Sequence, residues 1–142
     1  MIKASFILGA ALLTGACSSQ STSIPPLLQD ATTTGGIIRL CEQDTAEPSS
    51  LVTNASTVSF SPEIVERLER DFPRGSKSDD LKAALFEMGF KMRPCPGALA
   101  ARFDQAAGNG ANSKEFTSTI VWKADSNGRL LWTTGDIVYA AP

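Results

Sequence analysis

The stretch FTSTIVWKADSNGRLLWTTGDIVYA, Phe116–Ala140, decides the fold. Its first half alternates: Phe116, Ser118, Ile120 and Trp122 fall on one face, and Thr117, Thr119, Val121 and Lys123 on the other. Strict alternation is the mark of a half-buried β-strand. Asn127-Gly128 then interrupts two β-rich runs, which is the strongest short-range hairpin signal. On the return strand Leu130 and Trp132 share one face, and Leu131 and Thr133 the other. This pattern places both tryptophans on the buried side. Gly135-Asp136 is expected to bend or bulge the strand before IVYA.

Working upstream, ALAARFD (98–104) is a further strand, joined to Phe116 by the Gly- and Asn-rich loop DQAAGNGANSKE (104–115). Ahead of it lie two helical patterns. In SPEIVERLERDFPRG, Ser61 is a good N-cap, Pro62 suits the first helical position, and Glu63 complements the positive end of the dipole. Ile64, Val65, Leu68 and Phe72 make one apolar stripe, and Pro73 and Gly75 stop the helix. In SKSDDLKAALFEMGF, Ser76 with Asp79 resembles a capping box. Leu81, Ala84, Leu85 and Met88 repeat at helical spacing, and Gly89 is placed for a left-handed cap before Phe90. A sheet with one apolar face must be covered, and two amphipathic helices are the available cover. The expected fold is α+β: two helices packed on a three- to four-stranded antiparallel meander, a two-layer sandwich.

Composition narrows the chemistry. The 142-residue chain has no histidine and a formal charge of −2. Imidazole triads and His-ligated metal sites are excluded, and an acidic chain has no reason to seek nucleic acid. Asp79 and Asp80 are adjacent carboxylates, but in the first turn of a helix the dipole explains them more simply than acid–base catalysis. We assign no catalytic residue, metal, cofactor or small-molecule substrate.

The N-terminus carries the address. Lys3 precedes an apolar run from about Ala4 to Leu13 that is too short to span a bilayer, which takes ~20 residues. A short basic region, an apolar core and small residues before a break describe a secretory signal. Leu13-Thr14-Gly15-Ala16-Cys17 resembles a bacterial lipobox, with Thr14 where leucine is usual. The resemblance implies cleavage before Cys17 and lipidation of its thiol. The alternative is ordinary cleavage after Ala16 and a free thiol. Ser18 and Ser19 in place of an aspartate imply the outer membrane, facing the periplasm. Residues 1–16 then form the signal, and 17–36, rich in Ser, Thr, Pro and Gly, read as a flexible tether with a mean span of about 24 Å. Residues 37–142 remain as one domain, opened by a short strand in IIRLCEQ. Cys41 and Cys95 are an even pair in an exported chain and read as a disulfide, with two buried free thiols as the alternative.

The order helix, helix, meander, together with FPRGSKSDDLKAALFEMGF and IVWKADSNGRL, resembles the small protein A family of outer-membrane lipoproteins over about Ser61 to Tyr139. That resemblance implies the same two-layer fold and a role in an envelope assembly. Two roles are carried forward. One is a membrane-anchored, non-enzymatic lipoprotein that binds another envelope protein as a scaffold or accessory subunit. The other is an inhibitor or immunity-type lipoprotein that inserts loop 104–115 into an enzyme, with Asn109, Asn112 and Lys114 as contacts. A hydrolase using Ser, Lys and Asp ranks last, because nothing in the sequence places those groups together.

Overall fold

A computed structural model describes residues 23–35, 41, 58–107 and 114–141. Two helices, α1 (Pro62–Asp71) and α2 (Ser78–Glu87), precede four strands: β1 (Lys91–Arg93), β2 (Leu99–Gln105), β3 (Phe116–Ala124) and β4 (Leu130–Tyr139). The strands form an antiparallel sheet in the order β1-β2-β3-β4, and the fold is α+β. Both helices cover one face. Ile64 and Leu68 of α1 and Leu81 and Leu85 of α2 join Ala101, Phe103, Phe116, Ile120, Trp122 and Ile137 of that face in one core. The core extends sideways as an aromatic row, Phe90–Phe103–Phe116–Tyr139, with ring centroids 5.4, 6.0 and 5.7 Å apart.

Local chemistry explains the ends of α1. Ser61 accepts a hydrogen bond from Ile64 N, and Pro62 sits at the first helical position. The start of α2 departs from expectation. Its N-cap is Lys77, not Ser76, and no side chain caps it. The first free amide, Ser78 N, instead donates to Gly128 O of the β3–β4 hairpin at 2.8 Å. Ser76 serves the same contact, because its carbonyl accepts from Leu130 N. The α1–α2 connection is thus stitched to the hairpin. Trp122 Nε1 adds a buried bond to Ser78 Oγ at 2.9 Å. At the other end of α2, Gly89 has φ +91° and permits the exit to Phe90.

That stitch also displaces Trp132. Leu130 pairs with Ala124 and Trp132 with Lys123, so Leu131 is the extra residue of a bulge. A one-residue slip reverses every side chain beyond it. Trp122 is fully buried under the helices, whereas Trp132 lies on the opposite face beside Lys123, which corrects the expectation for Trp132. No bulge lies at Gly135, which pairs in register with Ile120. Gly135 is needed for a different reason. A Cβ there would come within 2.6 Å of Ile64 Cγ2 and 2.7 Å of Ile120 Cδ1. The glycine is what lets α1 approach the sheet.

The second half of the expected tether is part of the fold. A short 3-10 turn, Pro26–Leu28, buries Leu27 and Leu28, and Ala31 joins them in the core. Hydrogen bonds pin this arm: Arg67 Nη1 to Leu27 O at 3.0 Å, Tyr139 Oη to Ala31 O at 2.7 Å, and Thr33 Oγ1 to Asp136 Oδ1 at 2.9 Å. Thr34 N donates to Phe60 O, and Ser61 N to Gly135 O on β4. The domain therefore begins by residue 24 rather than at 37. Composition misleads here because Ser, Thr and Pro serve as hydrogen-bonding and turn residues in a packed arm as readily as in a coil. Cys41 is bonded to Cys95, in the β1–β2 turn, with Cα atoms 5.0 Å apart. Cys41, the one described residue of IIRLCEQ, has φ +69°, which is left-handed and not extended.

Candidate functional site

Core packing uses only one side of α2. Ser78, Leu81 and Leu85 are buried, while Asp79, Lys82, Ala83 and Phe86 recur at helical spacing along an open flank. That flank and β1 enclose an apolar groove of about 550 Å³, lined also by Phe90, Lys91, Met92 and Ala101. Phe86 stands at its rim 78% exposed, and Met92 is 43% exposed. Aromatic side chains and methionine are the types enriched where proteins meet proteins. Among the described residues, no side-chain hydrogen bond or ion pair engages the ammonium of Lys82 or Lys91. Phe86 went unnoticed in the sequence. The signal was present: a large aromatic at a position that the Leu81–Ala84–Leu85–Met88 stripe leaves facing water.

Among the described residues β1 is the edge strand on the groove's side of the sheet, and all three of its residues are exposed. The opposite edge is occupied, since Ser61 N reaches Gly135 O and the N-terminal arm lies against Asp136 and Tyr139.

The residues singled out in the sequence are distributed differently. Cys17, Asn109 and Asn112 lie outside the described residues. Lys114 is held 5.7 Å above the ring of Tyr139, and Glu115 O accepts from Ala140 N. Asp104 and Gln105 belong to β2, so the connection to β3 is shorter than 104–115. Asp104 accepts from Arg102 and Thr117, and the Arg102 bond leads the causes that hold its carboxyl below the usual range. Asp79 and Asp80 are exposed at the start of α2.

Two polar clusters sit on the arm side. Glu63 takes hydrogen bonds from Thr32 N and Oγ1 and from Ser61 Oγ. These bonds, led by the Thr32 amide, lower its pKa to about 2. The second cluster is part-buried: the exposed Thr33 links, through Oγ1, the buried Ser59 Oγ and Asp136 Oδ1. These bonds lie away from the groove and hold the arm to β4. Among the described residues no group of His, Cys, Asp or Glu could hold a metal ion, and no helix is long and apolar enough to cross a membrane. No protein-family model, no curated protein and no solved structure matches the chain.

Proposed function

We propose that this chain is a lipid-anchored envelope protein whose α+β domain binds another protein and catalyses nothing. The observation that carries this reading is Phe86, an aromatic ring standing in water above an apolar groove that its own helix leaves open. Fully burying a phenylalanine side chain is worth about 1.5–3 kcal/mol. A folded chain that leaves this contact unmade has it available for a partner. The lipobox-like residues around Cys17 and the resemblance to the small protein A family support an anchored role at the outer membrane, facing the periplasm.

The test is a photoreactive residue at position 86 in intact cells. Irradiation should trap one defined envelope protein, and the same residue at Glu69, exposed on α1, should trap none. Phe86→Ser should weaken the isolated complex by about tenfold to a hundredfold, the equivalent of that burial. It should leave thermal unfolding unchanged. Equal yields from both positions would refute the assignment.

A further inference from the structure

The register of β1 says what kind of segment the groove accepts. Met92 pairs with Ala101, and both line the groove. Lys91 and Arg93 pair with Arg102 and Ala100 and so lie on the opposite pleat. Among the described residues no further strand pairs with β1 on its outer side. Resting on the binding reading above, we propose that the partner enters as an extended segment that adds to β1 as a fifth strand. Directly opposite Met92 it carries a bulky apolar residue, and opposite Lys91 and Arg93 it carries carboxylates.

Three observations converge on this chemistry. An exposed edge presents unpaired backbone groups that an extended chain satisfies, while alternate side chains supply specificity. The groove continues the pleat at Met92 toward Phe86, so the central apolar side chain of an added strand has a seat. The flanking positions are cationic in a chain whose net charge is −2. Opposite charges across a strand pair stabilise it, and like charges destabilise it. The same charges disfavour a second copy of this chain. Antiparallel pairing about Met92 would set Lys91 against Arg93 twice, and parallel pairing in register would set each cation against itself.

The test uses the full chain, isotope-labelled, with the acetylated and amidated peptide TVEFEVT as probe. Saturable binding should move the amides of Lys91–Arg93 and of Phe86. The charge-reversed peptide TVKFKVT should bind at least roughly tenfold more weakly, because two attractive pairs become repulsive. Only alternate amides of an added strand face its neighbour. N-methylation of one alternate set should therefore abolish binding, and methylation of the other set should not. Phe86→Ser should weaken TVEFEVT binding without altering thermal unfolding. No saturable binding of TVEFEVT at millimolar concentration, equal binding of both charge forms, or equal effects of the two methylation patterns would each overturn strand addition. A partner trapped at position 86 despite such a failure would leave the binding reading standing. A silent position 86 would remove that reading as well.

Discussion

Replacing Gly135 by alanine tests the packing of α1 on the sheet, because two effects of opposite sign meet there. Glycine to alanine at a backbone conformation that alanine can adopt stabilises by about 0.4–1 kcal/mol, through the unfolded chain. Gly135 is not among the glycines with positive φ, so that gain applies. Against it, the added Cβ would lie 2.6 Å from Ile64 Cγ2 and 2.7 Å from Ile120 Cδ1. Ordinary contact starts near 3.4 Å, so both neighbours must retreat by most of an ångström. Neither has room, since Ile64 and Ile120 are fully buried. The Ile64 methyl is attached at Cβ and cannot move without its rotamer or the helix. Overpacking of this kind costs about 1–3 kcal/mol. The steric cost wins, and Gly135→Ala should destabilise by about 1–2 kcal/mol net. Urea unfolding of wild type and variant, read by tryptophan fluorescence, measures it. Ile120→Val removes one clashing methyl and alone costs about 0.5–1.5 kcal/mol. Combined with Gly135→Ala it should cost less than the sum, with a favourable coupling on the order of 1 kcal/mol. A neutral or stabilising Gly135→Ala, or strict additivity in the pair, would show that α1 does not approach β4 as described.

Leu28→Ala should destabilise by about 2–4 kcal/mol, as for a buried core leucine, whereas a residue in a slack tether would register nothing; chemical denaturation decides. Reducing the Cys41–Cys95 bond, 54 residues apart in sequence, should lower stability by about 4 kcal/mol in the chain-entropy account. Matched unfolding curves with and without reductant check this, and coincident curves would contradict it. Glu63, held at about 2 from a reference of 4.5, contributes stability that is complete above the reference value and disappears as pH falls through the lower one. Glu63→Gln should therefore flatten the acid limb of a stability–pH profile between those values, and a carboxyl-detected titration should give a midpoint near 2.

The parts of this fold that read clearly from sequence are those whose causes are local. Ser61-Pro62 starts a helix with residues three positions apart, and Asn127-Gly128 turns a hairpin within itself, with Gly128 at φ +74°. The parts that did not read depend on distant partners. Lys77 caps α2 without its side chain because the distant Gly128 supplies the acceptor for the Ser78 amide. The slip that sends Trp132 outward follows from Leu130 giving its backbone to Gly75 and Ser76. Alternation within β4 cannot reveal that. Leu27-Leu28 show no period because a three-residue turn has none to show. β1 is equally short, and it borders the groove. Phe86 is the exception, a site residue whose cause is local: it lies off the Leu81–Ala84–Leu85–Met88 stripe and so faces water.

The docked arm would shorten the leash of a lipidated Cys17. Pro25, Leu27, Leu28 and Ala31 are buried against the body, so only residues 18–23 remain between Cys17 and the body. Six residues reach at most ~20 Å when taut. With acyl chains at Cys17, the α1 and β4 flank that receives the arm would stay within that reach of the membrane surface. β1 lies on the far side of the sheet from the arm, about three strand spacings or ~14 Å from β4. A domain moored this way would collect what comes to the membrane surface, and could not fish for it across the periplasm.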